Sequence, residues 1–281
     1  MRRTRVLLLI LSAVALSLVA PGTAAAGNTT FYGDLNGDGR SDRITLGSTG
    51  SARTDCTITV SYRIVGSIFR APVVYPFTSP APYAPFCPNK GEAVDLGGDG
   101  VVELVTTHFI WTVAGKQILV LRNFVPWYET TGVSFPSTIN QVDFNGDGRK
   151  DIWESSDQTM QVRSYLNTTS STLVPGPISV CNSTSQPQHV FADFNGDGGQ
   201  DMLMYRRCEY SYAGAELHFG NGGTPVVFAS TTTVSTKYEV YRADFDYDGV
   251  VDVGVITQPS GGPVTVRHFR NNGAGVFTEI L

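Results

Sequence analysis

Asp143-Phe144-Asn145-Gly146-Asp147-Gly148-Arg149-Lys150-Asp151-Ile152-Trp153 is the stretch on which the reading of the fold turns. Oxygen-bearing side chains stand at its positions 1, 3, 5 and 9, a glycine stands at position 6, and a β-rich run begins at once after it. The pattern recurs at Asp34 to Asp42, Asp95 to Glu103, Asp193 to Asp201 and Asp244 to Asp252, and successive starts lie 61, 48, 50 and 51 residues apart. A near-constant period of this size marks an array of similar supersecondary units, none able to bury its apolar face alone.

Outward from each loop the residues alternate as strands do. Ile44-Thr45-Leu46, Leu104-Val105-Thr106, Ile152-Trp153, Met202-Leu203-Met204-Tyr205 and Val253-Gly254-Val255-Ile256 follow the loops directly. Further strands run through Ile58-Thr59-Val60, Ile118-Leu119-Val120, Val162, Leu217-His218-Phe219 and Val264-Thr265-Val266. Turn signals such as Asn221-Gly222-Gly223 and Asn271-Asn272-Gly273 then lead into Val226-Val227-Phe228 and Val276-Phe277. With the strand that enters each loop, a unit has four strands. The expected fold class is all-β, a β-propeller of five four-stranded blades around a central channel. The first spacing is the longest. Its surplus is placed in Pro76 to Pro88, where five prolines oppose regular pairing and Cys87 ties down a protruding loop.

The loop spacing also specifies a chemistry. A hard cation such as Ca²⁺ takes six to eight oxygens at roughly 2.3 to 2.6 Å, and side chains at positions 1, 3, 5 and 9 can converge with the carbonyl of position 7. The candidate ligands are Asp34, Asn36, Asp38, Arg40 and Asp42 in the first loop, and Asp95, Asp99, Val101 and Glu103 in the second. In the third they are Asp143, Asn145, Asp147, Arg149 and Asp151, and in the fourth Asp193, Asn195, Asp197, Gly199 and Asp201. The fifth offers Asp244, Asp246, Asp248, Val250 and Asp252. Arg40, Val101, Arg149, Gly199 and Val250 would contribute only their carbonyls. Gly97 removes the position 3 ligand from the second loop and Asp246 adds a carboxylate to the fifth, so affinity should be lowest at the second and highest at the fifth. The loops hold 16 of the 25 acidic residues, a crowding that repels unless a cation neutralises it. The expectation is up to five Ca²⁺. The metal-free alternative has the same residues capping turns. An EF-hand would need Glu at position 12, yet that position is Thr45, Thr106, Glu154, Met204 and Val255, and the flanks show no helical period.

Loops of this type, followed by a strand and an Asn-Gly turn, resemble the FG-GAP or VCBS repeats of secreted bacterial proteins and the calcium loops of integrin α-subunit propellers. The resemblance runs through all five units. It implies a secreted calcium-binding propeller that recognises an extracellular glycan or protein. Similar repeats in polysaccharide lyases and phospholipases imply the alternative, a calcium-dependent extracellular enzyme.

The N-terminus sets the compartment. A basic start, an apolar run from Val6 to Ala20 and the small residues Ala24-Ala25-Ala26 read as a signal peptide over 1–26, leaving 27–281 as the repeat domain with no membrane span. The formal charge of −5 becomes −8 without Arg2, Arg3 and Arg5, which argues against nucleic acid as partner. An exported chain can keep its four cysteines oxidised, and short loop closure favours Cys56 with Cys87 and Cys181 with Cys208. Catalytic signatures are missing: no Gly-x-Ser-x-Gly elbow, His-Glu-x-x-His helix or phosphate loop occurs. His108, His189, His218 and His268 read as separate packed or surface residues, and Glu92, Glu129, Glu154, Asp157 and Glu216 as scattered carboxylates. Trp111, Trp127, Tyr128, Tyr83, Tyr210 and Tyr212 could stack on a ligand or fill the core.

Overall fold

The computed structural model describes residues 30–50, 53–80, 87–108, 118–133, 136–156, 158–168, 172–182, 188–208, 211–233 and 235–280. The signal peptide expected over 1–26, and with it Trp111, Tyr83, Tyr210 and Asp157, lies outside them. The first sheet takes β1 (Thr30–Gly33), β2 (Asp42–Ser48) and β3 (Cys56–Ser61). A two-stranded ribbon of β4 (Arg63–Val65) and β5 (Ile68–Phe69) intervenes before its edge strand β6 (Val73–Phe77). The second sheet is β7 (Lys90–Val94), β8 (Glu103–Thr107), β9 (Ile118–Arg122) and β10 (Val125–Thr130). The third is β11 (Thr138–Val142), β12 (Asp151–Ser156), β13 (Gln161–Asn167) and β14 (Leu173–Cys181). β15 (His189–Ala192), β16 (Asp201–Cys208), β17 (Tyr212–His218) and β18 (Val226–Thr231) make the fourth. The fifth has β19 (Lys237–Ala243), β20 (Asp252–Gln258), β21 (Thr265–Asn271) and β22 (Phe277–Ile280).

Each sheet is an antiparallel meander, and its Asp-rich loop joins the first strand to the second. Register clamps the loop ends identically: Gly33 pairs with Asp42, Val94 with Glu103, Val142 with Asp151, Ala192 with Asp201 and Ala243 with Asp252. Four strands per unit were therefore legible in the alternation. Pro76, expected to break pairing, instead sits opposite Thr57 in β6, on the edge of the first sheet where a missing amide costs no ladder bond. The ribbon supplies part of the surplus length expected in the proline segment, of which residues 81–86 lie outside the described residues, and Arg43 and Arg63 lie 5.1 and 5.0 Å from the centre of its Phe69 ring.

The propeller expected from the period is not what the sheets form. They remain five separate four-stranded sheets, and among the described residues no sheet closes on another. One apolar cluster joins the first and second sheets through Phe31, Ile58, Leu104 and Leu121. A second joins the second and third through Val105, Val120, Ile152 and Tyr165, and a third joins the third and fourth through Phe144, Trp153, Met202 and Met204. The last joins the fourth and fifth through Leu203, Leu217, Val240 and Val255. No described cluster links the fifth sheet back to the first. Burial explains why. Every residue of β8 and β12 is buried, as two covered faces require, whereas β2 alternates and turns Arg43 and Thr45 outward with Thr57 and Thr59 of β3. The first sheet thus has one apolar face, already used on the second. A repeat period reports how many strands each unit has and is silent on whether the units close.

Both disulfides form as expected, Cys56 with Cys87 and Cys181 with Cys208. No helix among the described residues is long and apolar enough to cross a membrane.

Candidate metal centre

Position 9 of each loop opens the second strand of its sheet and is fully buried as Asp42, Glu103, Asp151, Asp201 and Asp252. Its carboxylate is a brace. One oxygen accepts the amide of position 2, at 3.1 Å from Leu35, and at 2.8 Å from each of Leu96, Phe144, Phe194 and Phe245. In four loops the other oxygen accepts an amide from beyond the third strand of the sheet or from its end: Arg63 at 2.8 Å, Asn167 at 2.7 Å, Gly220 at 2.9 Å and Asn271 at 2.7 Å. Position 2 thereby drives an apolar side chain inward, and Leu96, Phe144 and Phe194 are completely buried. Each such burial is worth about 1.5 to 3 kcal/mol. Desolvation pushes Asp201 up to about 6 despite the amides of Gly220 and Phe194, and it likewise raises Asp151 and Glu103.

Position 1 holds the turn. Asp34, Asp95 and Asp244 accept the amides of positions 5 and 6, while Asp143 and Asp193 accept those of positions 4 and 6. Position 5 takes the amide of position 7, so Asp38, Asp99, Asp147, Asp197 and Asp248 are bonded to Arg40, Val101, Arg149, Gly199 and Val250. Asn36, Asn145 and Asn195 bridge to the position 5 carboxylate.

Arginine supplies part of the neutralising charge that the crowded carboxylates would otherwise draw from a metal. Arg122 bonds Asp99 and lies 3.5 Å from Glu103, in the loop that lacks a position 3 ligand. The amide of Val101 and then this guanidinium hold the Asp99 carboxyl low. Arg149 pairs with Asp147, where it and the local amides outweigh the burial that would raise that group. Asn221 donates to Asp197. In the fifth loop Asp244, Asp246 and Asp252 bring carboxylate oxygens within 4.8 Å of one another, the one such grouping of three His, Cys, Asp or Glu side chains among the described residues. Arg270 stands 3.6 Å from Asp246 but is more than half exposed. The set is all oxygen, which fits a hard cation.

The structure also gathers Arg206, Tyr212, Glu216 and His218, which look scattered in the sequence, into one cluster. Glu216 accepts both bonds of Arg206 Nη1 at 3.2 and 3.1 Å, the Tyr212 hydroxyl, and sits 2.9 Å from His218 Nε2. Burial alone would raise this carboxyl, yet the bonds of His218, Tyr212 and Arg206 hold it at about 2. Tyr212, Glu216 and His218 share one strand face by their even spacing, and that was the available signal. Gly214 between them leaves room, since a Cβ there would lie 2.4 Å from the Tyr212 hydroxyl. The remaining histidines are dispersed: His108 at 2.8 Å from Ser79 Oγ, His189 tilted against Trp153 with ring centres 4.6 Å apart, and His268 at 2.8 Å from the Tyr241 hydroxyl.

A family model described as an FG-GAP-like repeat matches residues 126–204, which carry the third and fourth loops and less than a third of the chain. The resemblance expected across all five units is therefore partial. No curated protein matches the chain. Among solved structures, BBS1N in complex with ARL6DN is similar at 11% identity and TM-score 0.44, over 88% of this chain and 70% of that one. A putative 6-phosphogluconolactonase from Bacteroides uniformis gives 12% and 0.43, over 88% and 68%. An endo-1,4-beta-xylanase from Bacteroides thetaiotaomicron gives 11% and 0.35, over 91% and 94%. Likenesses this weak, to proteins of such different names, carry no activity over. The expected calcium-binding propeller serving as a recognition module is set aside on two grounds. Among the described residues no sheet or cluster closes the fifth unit on the first, and all five loops hold their carboxylates with their own amides and nearby side chains.

Proposed function

We propose that the protein is an array of β-sheets braced by hard divalent cation, calcium before any other, with the fifth loop as its principal site. The observation that carries this is the approach of Asp244, Asp246 and Asp252 within 4.8 Å. Three carboxylates at that distance repel until a cation enters, and the exposed Arg270, 3.6 Å from Asp246, offsets less of that charge than the closer Arg122 and Arg149 do in the second and third loops. Occupancy of the other loops would follow in graded order, with the second weakest. Calcium titration followed by calorimetry tests this: wild type should show one site at least tenfold tighter than any other, and D246A should lose it. Titration without heat, or an unchanged tightest site in D246A, would remove the assignment.

The leader over 1–26 and the two disulfides support export to an oxidising compartment. Export would bring the chain to glycans and proteins, and its acidic balance disfavours nucleic acid. Trp127, two-fifths exposed under Arg122 on the edge strand β10, offers such a partner a stacking face.

A further inference from the structure

We propose that the Cys181–Cys208 bridge is a thiol-exchange site, at which a small polar thiol attacks Cys208 and Cys181 departs as a thiolate held by Arg206. Both cysteines line a hollow of about 320 Å³ whose other walls include Met160, Gln161, Ser179 and Ser211. Hydroxyls and an amide around such a volume suit a small thiol with peptide-like polar groups.

The placement of Arg206 gives the exchange its direction. Its Nη2 lies 3.3 Å from Cys181 Sγ, and its Nε donates to the Cys181 carbonyl at 3.3 Å. Its far edge is fixed by Glu216, and its plane lies over the Tyr212 ring at 5.0 Å. An intact disulfide bears no charge for this guanidinium to meet. Cleavage puts a negative sulfur beside it, and a leaving thiol of lowered pKa leaves faster. Glu216 offsets part of that charge, but it sits at the opposite edge and is shared with His218 and Tyr212.

The step balances with thiol as the only co-reactant. A thiolate lone pair forms the new S–S bond to Cys208, and the electron pair of the old bond stays on Cys181. A second thiol then attacks the mixed disulfide, freeing Cys208 and leaving as the oxidised dimer of the small thiol, so two electrons pass to the protein. Cys181 ends β14 and Cys208 ends β16, so exchange removes the covalent tie between the third and fourth sheets and leaves their apolar cluster to hold them. The other bridge is placed differently. Cys56 is fully buried in the apolar cluster of the first two sheets with Cys87 packed against it, surroundings that disfavour a thiolate.

The intact oxidised protein is treated with graded glutathione, quenched by alkylation and mapped by peptide mass spectrometry. Cys181–Cys208 should open on the order of tenfold faster than Cys56–Cys87, with the glutathione adduct on Cys208. R206M should slow that opening and leave the other bridge unaffected. Because R206M strands the buried Glu216 charge, the double variant R206M/E216Q is measured beside it. Equal opening of the two bridges, an adduct on Cys181, or an unchanged rate in the folded double variant would each overturn the proposal.

Discussion

Glu154 shows at the scale of one residue what burial does to a carboxyl. It lies fully buried in β12, with Oε2 accepting the Val133 amide at 2.8 Å and the Tyr165 hydroxyl at 2.8 Å, while buried Oε1 has no hydrogen-bond partner. Desolvation pushes its pKa to about 7, against the opposing bonds from Val133 and Tyr165. The native state thus holds the proton more tightly than the unfolded chain does. The stability this lends is fully present below about pH 4.5 and is lost as pH rises through about 7, a swing of about 3 kcal/mol. E154Q should remove that part of the pH dependence and be the more stable protein at pH 8, which thermal unfolding at pH 5 and pH 8 checks. Equal pH slopes for the two proteins would contradict it. In the sequence Glu154 was visible only as a position 12 residue and a stray carboxylate. Burial comes from the neighbouring sheet, which local pattern does not report. The same holds for Asp42, Asp151, Asp201 and Asp252, whose spacing announced ligands but whose amide bonds come from a distant strand end.

At the scale of elements, neighbouring loops touch, and the contact is testable through two glycines of one loop. Gly146 and Gly148 both have positive φ, 70° and 84°. A Cβ at Gly146 would lie 2.7 Å from the backbone of Gly198 in the fourth loop, whereas one at Gly148 meets nothing within 4 Å. The Gln200 amide also donates to the Asp143 carbonyl at 2.7 Å, and the Gly275 amide to Phe194 at 3.1 Å, so loop leans on loop or turn across successive sheets. G148A should cost about 1 kcal/mol from backbone strain alone, and G146A about 1 to 3 kcal/mol more, read as a difference in denaturant midpoint. Equal costs would show that the loops do not bear on each other. Strand count and loop placement were legible here because alternation and turn chemistry are local. The Glu216 cluster was half legible: its even spacing along β17 was in the sequence, but Arg206 reaches it from the adjacent strand, opposite Gly214.

Among the described residues the molecule is a line of sheets, each packed on the next, and a line has ends. The second, third and fourth sheets are covered on both sides by the successive clusters, while the first and fifth are covered on one. In such an array stability is close to a sum of unit and nearest-neighbour terms, so a terminal unit opens by losing one interface and an inner unit must lose two. Hydrogen exchange under native conditions should therefore grade along the chain. Amides of β8, β12 and β16 should exchange slowest, and those of β2 and β20 should exchange on the order of tenfold faster or more, since one lost apolar interface is worth well over 1.4 kcal/mol. Added calcium should slow β20 most, because Asp252 opens that strand and belongs to the proposed principal site. A closed ring predicts the opposite, protection in β2 and β20 equal to that of the inner strands, and finding it would restore the closure that the polar outer face of the first sheet argues against.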